Sequence, residues 1–297
     1  MASIKAYALR DSPFFRLKSK SKLADILFVS AEKLERLAND PNRYYKFKKP
    51  KKTGGEREIC APNPALKAAQ KRISQLLSRI APPDYLFAPV SGRSYVDNAA
   101  VHVEAKSLHL LDIDSFFPNC RVEKVAWLFA KKLECSPDVT AILCKIVTYE
   151  GCLPQGSPCS PILAYLSYID MWSEIDACVQ AASCKLSVYA DDLTISGDLV
   201  RGETVWAVKK ILYRHGHQYA VDKERSCRGR PAEITGVILH RNEVRVPNRQ
   251  YHRIYEIRGR LRAASTDEAT TLRRQLSGRL AQMAQVRAGN RHKSPQA

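Results

Sequence analysis

Leu186-Ser187-Val188-Tyr189-Ala190-Asp191-Asp192-Leu193-Thr194-Ile195-Ser196 decides the fold. It reads as two short apolar strands, Leu186 to Tyr189 and Leu193 to Ser196, joined by an Ala190-Asp191-Asp192 turn. Aspartate suits turns, so a plain turn accounts for the pair taken alone. A tight hairpin, however, favours Asn-Gly or Asp-Gly, and adjacent aspartates repel each other. A divalent cation relieves that repulsion most simply. A second acidic cluster, Leu111-Asp112-Ile113-Asp114, ends another apolar strand, Leu108 to Ile113. If the two strands lie side by side, three carboxylates converge. Such a site can hold two metal ions roughly 3.5–4 Å apart, one activating an attacking hydroxyl and one holding a leaving pyrophosphate. Mg²⁺ suits it, because that ion takes a few carboxylates plus substrate phosphates rather than a full protein cage.

Outward from the hairpin, strands alternate with helices. The first helix is expected from a cap at Ser30 to a stop at Pro41, with Leu34 and Leu37 on its apolar face. Tyr44 to Lys49 and Arg57 to Ala61 read as strands around Thr53-Gly54-Gly55. Asn63 and Pro64 open a helix with Leu66, Ile73, Leu77 and Ile80 in one stripe. A Pro/Gly-rich loop is expected from Pro82 to about Asn98. Helices are expected at Val122 to Lys132, Pro137 to Glu150, after Pro161, and at Thr204 to His215. Two strands follow, Ile234 to Leu239 and Glu243 to Val246, and the remainder from Arg249 reads as helical. The pattern predicts an α+β fold, an antiparallel sheet backed by helices.

The chain has 297 residues, 48 Lys+Arg against 30 Asp+Glu, and a net charge of +18. Seven of the basic residues fall between Arg43 and Arg57 against one acid, and eleven fall after position 248 against three acids. Two basic runs at opposite ends of a mixed chain point to a nucleic-acid groove. With 45% hydrophobic residues it is a globular chain rather than a disordered basic tail. No window offers eighteen consecutive apolar residues, and Met1 to Phe15 lacks the apolar core of a signal peptide. The nine cysteines show no paired CxxC spacing, which argues against a disulfide scaffold or zinc site and for a reducing cytosol.

Three boxes in order make the pattern specific. Tyr189-Ala190-Asp191-Asp192 resembles the YADD box of reverse transcriptases. Asp112-Ile113-Asp114-Ser115-Phe116-Phe117-Pro118-Asn119 resembles their first catalytic box in its bacterial form. Leu153-Pro154-Gln155-Gly156-Ser157-Pro158-Cys159-Ser160-Pro161 resembles the box between them. Lys51 to Ile59 is similar to the fingers hairpin, and Val221 to Ser226 to a later box that supplies a basic residue. Asn98-Ala99-Ala100-Val101-His102 and Ile234-Thr235-Gly236 resemble the NAxxH and VTG elements of retron reverse transcriptases.

The resemblance implies a right-hand polymerase: an N-terminal helical segment (1–43), fingers (44–105), a palm with interleaved fingers helices (106–234) and a helical thumb (235–297). It implies that Asp112, Asp191 and Asp192 are catalytic and, with the Ile113 carbonyl, hold two Mg²⁺ ions, for which Mn²⁺ can substitute. Lys52, Arg57, Phe117, Gln155, Gly156 and Arg225 would bind the nucleotide, Phe117 as the gate against a ribose 2′-OH and Phe116 as core. Asn98 and His102 would contact RNA or brace a loop. Arg258, Arg262, Arg273 and Arg274 would grip RNA. Asp114 stands where bacterial relatives often carry Lys, which adds an acid of unassigned role. The implied activity is RNA-directed DNA synthesis in the bacterial cytoplasm, from deoxynucleoside triphosphates. The implied template and primer is a structured non-coding RNA, the DNA product stays attached as a branch, and a separate effector protein completes an antiphage module. Another bacterial reverse transcriptase (abortive-infection, CRISPR-associated or diversity-generating), an RNA-dependent RNA polymerase and a non-enzymatic RNA-binding protein are the alternatives.

Overall fold

A computed structural model describes residues 6–50 and 54–290. Lys52 and Thr53 lie outside them. The first α-helix of the described chain, α1 (Lys20–Ile26), precedes the one expected from sequence; the Ser19 hydroxyl caps it by accepting from the Lys22 N–H. α2 (Ala31–Asn39) begins at the expected Ser30 cap and buries Leu34 and Leu37. β1 (Tyr44–Pro50) and β2 (Glu56–Pro62) form an antiparallel ribbon with Lys49 opposite Arg57. Gly54 and Gly55, at φ +90° and +78°, permit its turn. α3 (Pro64–Leu77) opens where Asn63 accepts from the Leu66 N–H at 2.9 Å.

The central sheet comprises β3 (Leu86–Ala88), β4 (Ser107–Asp112), β5 (Lys185–Tyr189), β6 (Asp192–Gly197) and β7 (Arg225–Arg228), in spatial order β3-β5-β6-β4-β7. Three of its four pairings are antiparallel, as expected, but β3 runs parallel to β5, so the sheet is mixed. The segment read as a loop holds both β3 and α4 (Tyr95–Ala100). A three-residue strand is too short to show a period. α4 owes its start to a reciprocal capping box between Ser94 and Asp97.

α5 (Phe116–Asn119), α6 (Val122–Trp127), α7 (Pro137–Val147), α8 (Ser160–Leu166), α9 (Ile169–Ala181) and α10 (Gly202–Arg214) complete the body around the sheet. α6 runs on through a π-helical turn at Leu128–Lys132. Their apolar side chains join one core in which Phe14, Leu128, Phe129, Leu143, Met171 and Trp172 are wholly buried. Each buried Leu or Phe contributes roughly 1.5–3 kcal/mol. Every cysteine is free of disulfides, and Cys120 and Cys159 serve as buried filler.

A second core joins the last third of the chain to α4 and β4 through Val96, Leu108, Ile234, Val244, Ile254, Met283 and Val286. The strand expected at Ile234 to Leu239 is two strands, β8 (Ala232–Ile234) and β9 (Val237–His240), with β10 (Glu243–Arg245) beyond β9. Thr235 and Gly236 adopt positive φ, +46° and +87°, and turn the chain between them. α11 (Asn248–Leu261) and α12 (Thr266–Ala288) follow, packed on each other. No described helix is long and apolar enough to cross a membrane.

Candidate active site

The two acidic clusters meet at one end of the sheet. Asp112 closes β4 and Asp192 opens β6, and the two are direct partners in the antiparallel ladder. The Ile113 N–H donates to the Asp191 carbonyl at 2.9 Å. Ala190, at φ +58°, makes the turn that brings Asp191 round. Burial raises the pKa of both hairpin carboxyls, and repulsion raises it further. Asp192, between the charges of Asp191 and Asp112, is pushed up to about 7. Asp114 is exposed and accepts from the Ser115 hydroxyl at 3.3 Å.

The cation that meets this cluster is Lys223, whose ammonium donates to Asp112 Oδ1 at 2.8 Å. That hydrogen bond raises the lysine's own pKa. Among the described residues, no group of three or more His, Cys, Asp or Glu side chains is arranged to hold a metal ion as it stands. The chemistry nevertheless fits a hard divalent cation. The donors are all carboxylate oxygens, they repel one another, and an ammonium already engages one of them.

The resemblance assigns Arg225 as the basic residue of this segment, but the structure brings Lys223 to the carboxylates. Arg225 lies on β7 opposite Leu110, exposed. A 3-10 turn at Val221–Lys223 sets the difference. Glu224 anchors that turn: it accepts from the Lys209 ammonium at 2.7 Å and lies 2.7 Å from His109 Nε2. The sequence shows two cations two residues apart, and no local signal separates them.

On the nucleotide side, Arg57 is exposed on β2, and its charge counters the raised pKa of Asp191. Phe116 is core, 5.7 Å from the Phe117 ring and 6.3 Å from Trp172. Phe117 is half-buried beside it. The Gln155 carbonyl accepts from the Cys60 N–H at 2.8 Å, seating its loop against β2. Gly156, at φ +136°, approaches so closely that a Cβ there would stand 2.7 Å from the Cys60 carbonyl oxygen. Glycine is therefore required for packing between the loop and the β1–β2 ribbon.

Asn98 and His102 do not reach the surface. Each is 1% exposed, which corrects the expectation of RNA contact in favour of bracing. His102 lies between two hydroxyls of the acidic hairpin, with Nε2 2.7 Å from Ser187 Oγ on β5 and Nδ1 2.6 Å from Ser196 Oγ on β6. Burial lowers its pKa to about 3, so the ring stays neutral. Asn98 Nδ2 donates to Thr235 Oγ1 at 3.3 Å, and that hydroxyl donates to the Tyr95 carbonyl. Two motifs far apart in sequence are thus one contact. Arg258 on α11, Arg262 just past its end, and Arg273 and Arg274 on α12 are all exposed.

The chain is similar in sequence to known proteins. The family described as reverse transcriptase (RNA-dependent DNA polymerase) matches residues 48–238. The Retron Se72 reverse transcriptase of Salmonella heidelberg (strain 579083-10) is 31% identical over 68% of this chain and 54% of its own length. The Retron Ec86 reverse transcriptase of Escherichia coli is 26% identical over 76% of this chain and 72% of its own. The chain therefore spans about half the length of the first relative and more of the second. An apo telomerase from Candida tropicalis, truncated from the C-terminal domain, superposes at a TM-score of 0.48 with 13% identity over 69% of this chain and 55% of that one. The family match runs through both acidic clusters and covers well over half of the sequence, so the chain belongs to the reverse transcriptase (RNA-dependent DNA polymerase) family, similar to bacterial retron members.

Proposed function

We propose that this chain is an RNA-directed DNA polymerase of the retron type. It would use a structured non-coding RNA as template and primer and leave a branched RNA-linked single-stranded DNA, within a bacterial cytoplasmic antiphage module that includes a separate effector. The observation that carries the polymerase reading is the pairing of Asp112 with Asp192 beside Asp191, a carboxylate cluster in which burial and then like charge push Asp192 up to about 7.

In this reading residues 44–105 act as fingers, 106–234 as palm and 235–297 as thumb. Asp112, Asp191, Asp192 and the Ile113 carbonyl would hold two Mg²⁺ ions. When bound, these supply Lewis-acid stabilisation of the attacking 3′-oxygen and of the leaving pyrophosphate. Lys223 holds Asp112 oriented until then. Arg57, with Lys52, offers guanidinium and ammonium donors to the triphosphate. Phe117 places a ring under the sugar, where its bulk excludes a 2′-hydroxyl. His102 holds the two strands behind Asp191 and Asp192 at fixed spacing, so the carboxylates are preorganised. Arg258, Arg262, Arg273 and Arg274 grip the RNA by its backbone and shape.

Primer extension on an RNA template tests the reading. Asp191→Asn is expected to abolish deoxynucleotide incorporation while RNA binding stays within about threefold, since metal ligation is a transition-state contribution. Full incorporation by that variant would refute the assignment.

A further inference from the structure

The outer face of α10 carries aromatic rings that the carboxylate site does not use. Trp206 is 53% exposed and Tyr213 43% exposed, two helical turns apart, while Val205, Val208 and Leu212 bury the opposite face. The rings are in contact: Trp206 and Tyr213 meet edge-on with centroids 6.5 Å apart, and Tyr213 lies 6.2 Å from Tyr219. Tyr219 is bridged through its backbone to Ile113, the residue after Asp112. The three rings therefore form a line that starts beside the carboxylates and runs outward along the helix.

Cations lie beside the line. The Lys209 ammonium sits 4.0 Å from the centre of the Tyr219 ring, buried there and paired with Glu224. Lys210 is exposed one turn beyond Trp206, and Lys223 reaches Asp112 at the inner end. Aromatic faces interleaved with lysines suit a single strand, whose bases stack on rings while its phosphates meet ammonium groups. A surface of this kind on a chain of net charge +18 favours a polyanion over a protein partner.

We infer that Trp206, Tyr213 and Tyr219 form a stacking track for single-stranded nucleic acid leading away from the carboxylate end of the sheet. The inference rests on the polymerase reading only for the source of the strand.

Binding of fluorescein-labelled oligo-dT and oligo-rU of about 15 nucleotides to the full chain, in EDTA so that no synthesis occurs, tests it by anisotropy. Trp206→Ala and Tyr213→Ala should each weaken binding about tenfold, and Trp206→Phe should stay within about threefold of wild type. Tryptophan fluorescence should be quenched more strongly in the wild type than in Trp206→Phe, because Trp172 is wholly buried and Trp127 half-buried. Stronger binding of oligo-dT assigns the track to the DNA strand, and stronger binding of oligo-rU assigns it to RNA. Binding within twofold of wild type in both alanine variants overturns the proposal. So does a wild-type dimer in sedimentation velocity that Trp206→Ala dissolves without changing oligonucleotide affinity, which makes the face a protein contact. Failure of the polymerase reading is separable, because an active Asp191→Asn enzyme leaves these binding results as they stand.

Discussion

The tip and the base of the β5–β6 hairpin place ionisable groups in opposite circumstances. At the tip, Asp191 and Asp192 are gathered with Asp112, and burial and like charge push them toward the neutral acid. At the base, His102 is also pushed toward neutrality, down to about 3, but two serine hydroxyls satisfy both of its ring nitrogens. Low dielectric raises the cost of charge in both places. The base resolves that cost within the protein, whereas the tip carries repulsion that a cation can relieve. A strongly shifted pKa therefore marks function only where the shift remains uncompensated.

The largest effects should separate the two ends by sign. Asp192→Asn is expected to lower primer extension by about a hundredfold or more. It should also raise the melting temperature of the metal-free protein, because it removes like charge. His102→Ala should do the reverse to stability. It strands two buried hydroxyls, each worth about 1–3 kcal/mol, and so lowers the melting temperature by several degrees. Calorimetry on both variants beside extension assays checks this, and loss of stability in Asp192→Asn would erase the contrast.

A pH series sharpens the comparison. The folded-state pKa of Asp192, about 7, lies above the ordinary aspartate value of 3.8. Its contribution to stability is therefore full below about 4 and lost as pH rises through about 7. The melting temperature of the metal-free protein should fall across that window, and added Mg²⁺ should restore it at the alkaline end. Asp192→Asn should flatten the fall.

Smaller effects follow. Gly156→Ala should cost about 1–3 kcal/mol and loosen the nucleotide loop, seen as a raised KM for deoxynucleotides with folding retained. Lys223→Ala should lower extension by about tenfold, because Asp112 loses the cation that orients it. Arg225→Ala should stay within about twofold of wild type. Equal losses in these two variants would contradict the distinction drawn between them.

The sequence revealed the tip well because its chemistry is local. Asp-Asp in a glycine-free turn, and an apolar strand ending in Asp112, announce themselves within a few residues, and the boxes fix their order. The α2 and α3 caps at Ser30 and Asn63 were equally plain. The base was not legible, because His102 acts through Ser187 and Ser196, partners from a distant part of the chain. Lys223 was missed for a related reason. It meets Asp112 from a 3-10 turn next to Glu224, whose partners Lys209 and His109 come from other elements. The parallel β3 strand is too short to carry a pattern, and the Thr235-Gly236 turn hid inside an apolar run.

Titration of Mn²⁺ into the wild type, Asp191→Asn and His102→Ala, with free ion followed by electron paramagnetic resonance, tests the carboxylate end most directly. The account predicts binding by the wild type that weakens by at least about tenfold in Asp191→Asn and persists in folded His102→Ala. Indistinguishable Mn²⁺ affinity in the wild type and Asp191→Asn would contradict it.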